Sequence, residues 1–393
     1  MNTWGQALRL SIFGESHGSA IGITIDGLPA GLKVDMAGVR REMLRRAPGQ
    51  NSLSTARQES DEVEIVSGFS GLGATAAPAP AASTAAAPAA PSAPTPVLAT
   101  TGTPICGIIH NRDVDSSHYD SRLRPGHADW TALLKYGGYA DMRGGGHFSG
   151  RLTAALVFAG SLAKQALSIA GLEVYGRIAQ IGKVCDELPD KGLPTWQKLA
   201  EQPFPAIGAD AMQNEIRQAQ QAGDSVGGMV EVMAFGVPGG LGDPFFGSME
   251  SNISSLLYAV PAVKAVQFGD GVDLAAMQGS QANDELDIKD GVISALSNHN
   301  GGILGGITNG MPLVVKASIK PTPSIAIEQR TVDSANMQPA TIKVEGRHDP
   351  CIVPRAVPVV EAAVALAILD RLLASPRHAA VFSSLWGEDH GCL

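Results

Sequence analysis

Short runs rich in Val and Ile alternate along this chain with longer apolar stretches of helical period. The short runs predict strands at 20–26 (AIGITID), 63–66, 104–109, 230–235 and 312–319. The longer stretches predict helices at 36–46, 130–135, 152–169, 210–221, 252–259 and 358–373, the last opening on Pro358 in its first turn. Strands and helices interleave, which places the chain in the α/β or α+β classes. One segment follows neither period. Residues 71–98 (GLGATAAPAPAASTAAAPAAPSAPTPVL) carry no charge and no aromatic ring. Their prolines at 78, 80, 88, 91, 94 and 96 block a continuous helix or a central strand. The segment reads as a disordered, polyproline-like loop inserted between the strands at 63–66 and 104–109. Stretching a connection from about six to about thirty residues costs only ~1–1.5 kcal/mol of closure entropy. An interdomain linker is the alternative reading.

Composition narrows the partners. With 393 residues, 44% of them hydrophobic, the chain can bury a large core. Its formal net charge of -9 argues against nucleic acid, so any anion must meet a local cluster of arginines. The four cysteines, Cys106, Cys185, Cys351 and Cys392, form no C-x-x-C pair. They suggest neither a metal site nor a disulfide framework, and reduced thiols fit a cytoplasmic protein. No signal-peptide pattern opens the sequence, and the apolar run 356–369 is too short to span a bilayer and contains Glu361. A soluble protein is expected.

The chemistry concentrates in glycine-rich loops. The first, FGESHG at 13–18, contains G-x-S-x-G, the pattern of a hydrolase nucleophile elbow at Ser16. Only about a dozen residues precede it, and a strand rather than a helix follows, both against that reading. The second, RPGHAD at 124–129, offers Arg124 and His127 on a turn, with Asp129 placed to cap the next helix. The third, RGGGHFSGR at 143–151, sets open backbone N–H groups before a long helix, as an anion cradle does without a P-loop motif. Further loops are SNHNGGILGG at 297–306, KPTPS at 320–324 and GRHDPC at 346–351. Arg40, Arg41, Arg45 and Arg46, then Arg57, form a basic stretch that is either a solvated face or an anion site.

Taken in order, FGESHG, RRAPG, TTGTPI, RPGHAD, KYG, RGGGHFSGR, GDSVGG, NHNGGILGG, KPTPSI and GRHDPC resemble the chorismate synthase family, over nearly the whole chain apart from 71–98. The resemblance implies an α+β, single-domain β-α-β sandwich spanning 1–393, usually a homotetramer. It implies a lyase that converts 5-enolpyruvylshikimate 3-phosphate to chorismate and phosphate by 1,4-anti elimination, using reduced FMN. NADPH or an external flavin reductase would supply the electrons; no reductase domain is visible, which favours the outside source. By resemblance, His17 assists the leaving phosphate, His127 lies beside the flavin, and Asp349 sits near the place where the C6 proton leaves. FMN contacts would fall on His147, Phe148, Ser149, Pro261, Ala262, Gly305, Lys320, Pro321, Thr322, Pro323, Ser324 and Arg347. Substrate or nicotinamide phosphate would meet Arg46, Arg57, Arg124 and Arg151, with Ser52 standing where the family carries an arginine. Two competing readings are a serine hydrolase at Ser16 and a binding protein that has lost activity.

Overall fold

The computed structural model describes residues 2–49, 59, 61–71, 98–113, 119–188, 191–344 and 348–380. Ser52, Arg57, Arg347 and residues 72–97 of the Ala/Pro segment lie outside them. The chain is α+β. One five-stranded sheet holds β1 (Thr3–Trp4), β2 (Arg9–Gly14), β3 (Ala20–Asp26), β4 (Val63–Ser67) and β5 (Ile105–His110), in the order β1-β2-β3-β5-β4. A second holds β6 (Glu173–Ile181), β7 (Val184–Cys185), β8 (Gly228–Phe235), β9 (Val263–Phe268) and β10 (Leu313–Ile319), in the order β7-β6-β8-β10-β9. Every neighbouring pair in both sheets is antiparallel.

The longer helices among the described residues are α1 (Met36–Arg46), α2 (Asp129–Tyr136), α3 (Thr153–Ile169), α4 (Leu193–Ala200), α5 (Ala209–Gln221), α6 (Met249–Leu257) and α7 (Val353–Ala374). Helix α3 packs on β3 and β5, α7 packs on β6 and β8, and α3 and α7 pack on each other. Ile21, Ile23 and Ile25 alternate along β3, all at most 1% exposed, and this buried face meets α3. Both α3 and α7 are apolar around nearly their whole circumference, as helices enclosed in a core must be. Their backbones come close because the contact is built from small residues: a Cβ added at Gly160 would lie 2.2 Å from the Cβ of Ala362. The stretch Gly150–Ile169 has the length and hydropathy of a membrane span, but 78% of its most apolar window is buried inside the protein.

Two carboxylates on α7 are fully buried and fully used. Glu361 receives Arg45 at 2.7 Å through both guanidinium nitrogens, Lys164 at 2.8 Å and the Gly176 N–H at 2.8 Å. It thereby ties α1, α3 and β6 to one point on α7. Burial would push this carboxyl up, yet the two cations outweigh it and hold it at about 2. Asp370 accepts from the backbone N–H groups of Gln6, Ala7 and Leu8 at 2.8–2.9 Å and pairs with Arg371 at 2.7 Å.

Most predicted boundaries shift by one or two residues, and the larger departures have local causes. Helix α7 begins at Val353, with a proline in its first turn there, and Pro358 lies inside it. The apolar run continues upstream of Pro358, and its burial outweighs the one lost helical hydrogen bond. Helix α6 begins at Met249 because Ser248 caps it, accepting from Ser251 N–H at 3.0 Å. Asp129 is not a cap: Ala128 holds that position, and the Asp129 carboxylate turns back to Arg124. The basic stretch divides, with Arg40 and Arg41 exposed and Arg46 buried.

Candidate active site

A cavity of about 1160 Å³ opens where the FGESHG, RPGHAD, RGGGH and KPTPS loops meet. His17, Tyr119, Arg124, His127, Arg143, Gly144, Ser324 and His348 stand on its wall. His17 follows β2, whose end is fixed by the next glycine loop. The Ser16 N–H donates to Gly146 O at 3.1 Å, and His147 Nδ1 lies 2.9 Å from Gly14 O. Residues 144–146 all take positive φ (61°, 86° and 53°). At Gly144 the reason is contact: an added Cβ would lie 2.3 Å from His17 Cδ2.

His127 Nε2 lies 2.8 Å from Ser324 Oγ, and Lys320 Nζ donates to Gly126 O at 2.5 Å. The RPGHAD turn is thus docked on the KPTPS segment. Burial, then the charges of Arg124 and Lys320, push the His127 imidazole down to about 4. The ring is therefore neutral at pH 7. Three arginines on the wall are forked by nearby aspartates: Arg122 by Asp120 at 2.5 Å, Arg124 by Asp129 at 2.8 Å, Arg143 by Asp141 at 2.7 Å. These pairs fix the guanidinium planes at the rim while the cavity keeps their exposed edges.

Arg46 and Arg151 do not reach the cavity wall. Both are buried and share Asp61, Arg46 at 2.6 Å and Arg151 in a shorter contact. Burial alone would raise the Asp61 carboxyl; the two arginines overcome it and hold it low. Arg46 also donates to Gly150 O at 3.0 Å, so this clamp fixes the turn leading into α3. Asp349 pairs with Arg355 at 2.6 Å, and Arg355 donates to Arg46 O at 3.1 Å, which puts Asp349 on the clamp's side of His348. His147, Phe148 and Ser149 lie next to Gly144 but off the wall itself: His147 braces β2, Phe148 packs on Tyr136, and Ser149 caps the Arg151 turn. Ala262, with φ 74°, accepts from Lys320 N–H at 2.9 Å and so adjoins the KPTPS segment with Pro261. Gly305 lies on a separate hairpin of Ile303–Leu304 and Ile307–Thr308, off the wall.

The structure thus brings together His17, Arg124, His127 and Ser324, with Lys320 beside them. Sequence reasoning missed Tyr119 and Asp61. Tyr119 carries no motif. Asp61 precedes β4 as an ordinary acidic residue, and only its φ of 48°, invisible in the sequence, sets it apart. Ser16 does not serve as a nucleophile: its side chain is fully buried and its Oγ has no hydrogen-bond partner among the described residues.

Comparison with known proteins gives a consistent result. The chorismate synthase family model matches residues 8–82 and 96–373, breaking inside the Ala/Pro segment. Chorismate synthase of Thermococcus kodakarensis is 47% identical over 375 residues, covering 94% of this chain and 97% of that protein. That of Archaeoglobus fulgidus is 45% identical over 388 residues, covering 95% and 97%. A crystal structure of chorismate synthase superposes with a TM-score of 0.70 at 26% identity, covering 98% of both chains.

Proposed function

Since the chain belongs to the chorismate synthase family of lyases, we propose that the cavity between His17 and His127 is where it removes the 3-phosphate and the C6 proton of 5-enolpyruvylshikimate 3-phosphate. The activity is the last step of the shikimate pathway towards aromatic amino acids. The observation that carries the assignment of the site is the placement of His17, His127, Arg124 and the Ser324 hydroxyl on one wall.

The substrate bears a phosphate and two carboxylates. Arg124, Arg143 and Arg122, held in plane by their aspartates, orient those anions at the rim. In the 1,4-anti elimination the C3–O bond breaks and its electron pair leaves with the phosphate, the C1=C2 pair shifts to C2=C3, and the C6–H pair forms C6=C1 as the proton departs. His17 donates a proton or hydrogen bond to the departing phosphate oxygen. His127, neutral and with Nε2 set by Ser324 at 2.8 Å, would hold a proton towards a bound flavin. Asp349 is the carboxylate assigned to that exchange in this reading, and its pair with Arg355 holds it in place.

The residues fit a flavin. The volume of about 1160 Å³ exceeds the roughly 300–1,000 Å³ of single small-molecule sites. Reduced FMN, when bound, supplies an electron-rich ring beside the substrate, with no net redox change. Lys320 through Ser324 and His127 would hold it from the cavity side, and His147 to Ser149, Pro261, Ala262, Gly305 and Arg347 complete the proposed contacts. Arg46, Ser52, Arg57 and Arg151 complete the proposed anion-binding set, Arg46 and Arg151 acting through the turn they clamp. The same reading includes a single-domain β-α-β sandwich, a cytoplasmic homotetramer, and electrons from an outside flavin reductase with NADPH as the ultimate source.

The test is anaerobic turnover with photoreduced FMN, followed by chorismate absorbance. His17→Ala and His127→Ala should each lose about 10²-fold or more in rate; wild-type turnover in either removes its role. Fluorophosphonate should not label Ser16.

A further inference from the structure

We propose that Tyr119 is a positioning residue for His17: its ring fixes the imidazole and links it to the anion-binding Arg124. The inference rests on the reading of His17 as the group that assists the leaving phosphate.

Three observations carry it. The Tyr119 and His17 rings meet edge to face, with centroids 5.5 Å apart and planes at 89°. That is the arrangement aromatic pairs prefer, because a positive ring edge meets a negative face. The Arg124 guanidinium lies over the same Tyr119 ring, 5.0 Å from its centroid. Arg124 cannot drift, since Asp129 receives its backbone N–H at 2.9 Å and its Nε and Nη2 at 2.8 Å each. All three side chains stand on the cavity wall.

His17 also lies against Gly144, where no Cβ could be placed without striking the ring. A glycine contact excludes volume but fixes no ring plane. Tyr119 supplies a second contact with a defined angle. Charged groups near His17 include Asp141, which feels its charge and is forked by Arg143, and Arg124 beyond the tyrosine ring. A substrate anion that engages the fixed Arg124 is therefore held against the same ring that sets the imidazole. Tyr119 couples anion binding at the rim to the direction of proton delivery at Nδ1 or Nε2 of His17.

The experiment compares Tyr119→Phe, Tyr119→Leu and Tyr119→Ala by steady-state turnover and by imidazole NMR of His17 without flavin. Loss of orientation should lower kcat about ten- to hundredfold in Tyr119→Ala and Tyr119→Leu, with KM for the phosphate substrate changed much less. Tyr119→Phe keeps the ring and should restore kcat to within about twofold. In the flavin-free protein, His17 ring signals should shift in the Ala and Leu variants and stay in place in the Phe variant. Unchanged kcat and signals in Tyr119→Leu overturn the proposal, as does a Phe variant as slow as Ala. His17→Ala is the control that separates the two readings: full activity there removes the premise, whereas a slow His17→Ala with a fast Tyr119→Leu removes only the role of Tyr119.

Discussion

An alanine at position 144 would have to place a Cβ 2.3 Å from His17 Cδ2, in a backbone with φ +61°. The left-handed backbone alone costs a non-glycine residue roughly 1–2 kcal/mol, and the contact displaces the imidazole besides. Gly144→Ala should therefore lose about 10²-fold in kcat while remaining folded, measured by turnover beside urea denaturation. His127 supplies a second check. The unfolded chain takes up a proton on this ring near pH 6.5, which the native protein refuses until about 4. Stability is thus fully present above pH 6.5 and falls as pH drops through that window. NMR titration of the flavin-free protein should place His127 near 4, and an added phosphate-bearing ligand should move it upward. A normal value near 6.5 contradicts the buried, cation-flanked setting. At this scale the sequence was most informative where residue type and glycine spacing agree, as at His17 and His127. It was silent where a residue acts through a distant partner. Tyr119 meets His17 across about a hundred positions, and Asp61 gathers Arg46 from the end of α1 and Arg151 from the turn before α3.

Among the elements, Glu361 is the joint. Removing its carboxylate leaves the partly buried Arg45 and Lys164 with only the half-buried Glu42 in common among the described residues, and takes away the acceptor of Gly176 N–H. Glu361→Ala should destabilise the fold by about 3–5 kcal/mol in urea, the cost of breaking a buried ion pair from one side. Because its native carboxyl is held at about 2 against an ordinary 4.5, its contribution is complete above pH 4.5 and is lost as pH falls towards 2. The wild-type and the variant should therefore differ less at pH 3 than at pH 7. Most elements were readable from periodicity: α1 and β3 fall on their predicted bounds, since a local pattern of burial sets them. The starts of α6 and α7 were not, because one depends on a serine cap and the other on core burial that overrides a proline.

For the whole molecule, one continuous apolar cluster draws on both sheets and on α1, α3, α6 and α7. The short strands Phe69–Ser70 and Leu98–Thr100 pair beside it, with Ser70 opposite Ala99. The two ends of segment 72–97 are therefore already at hairpin distance. Replacing 72–97 with Asn-Gly should keep the melting temperature within a few degrees and keep turnover, since a shorter closed loop loses less entropy. A collapse in either would mean that the segment does more than connect. The contact between chain ends has a different outcome. Gln6, Ala7 and Leu8 donate to Asp370, a residue more than 360 positions later. Those three N–H groups are made long before their acceptor, so the turn that leads into β2, and through it towards His17, gains this anchor only once α7 has been translated. The approach to the site is thereby fastened by a helix made far later rather than by its neighbours in sequence.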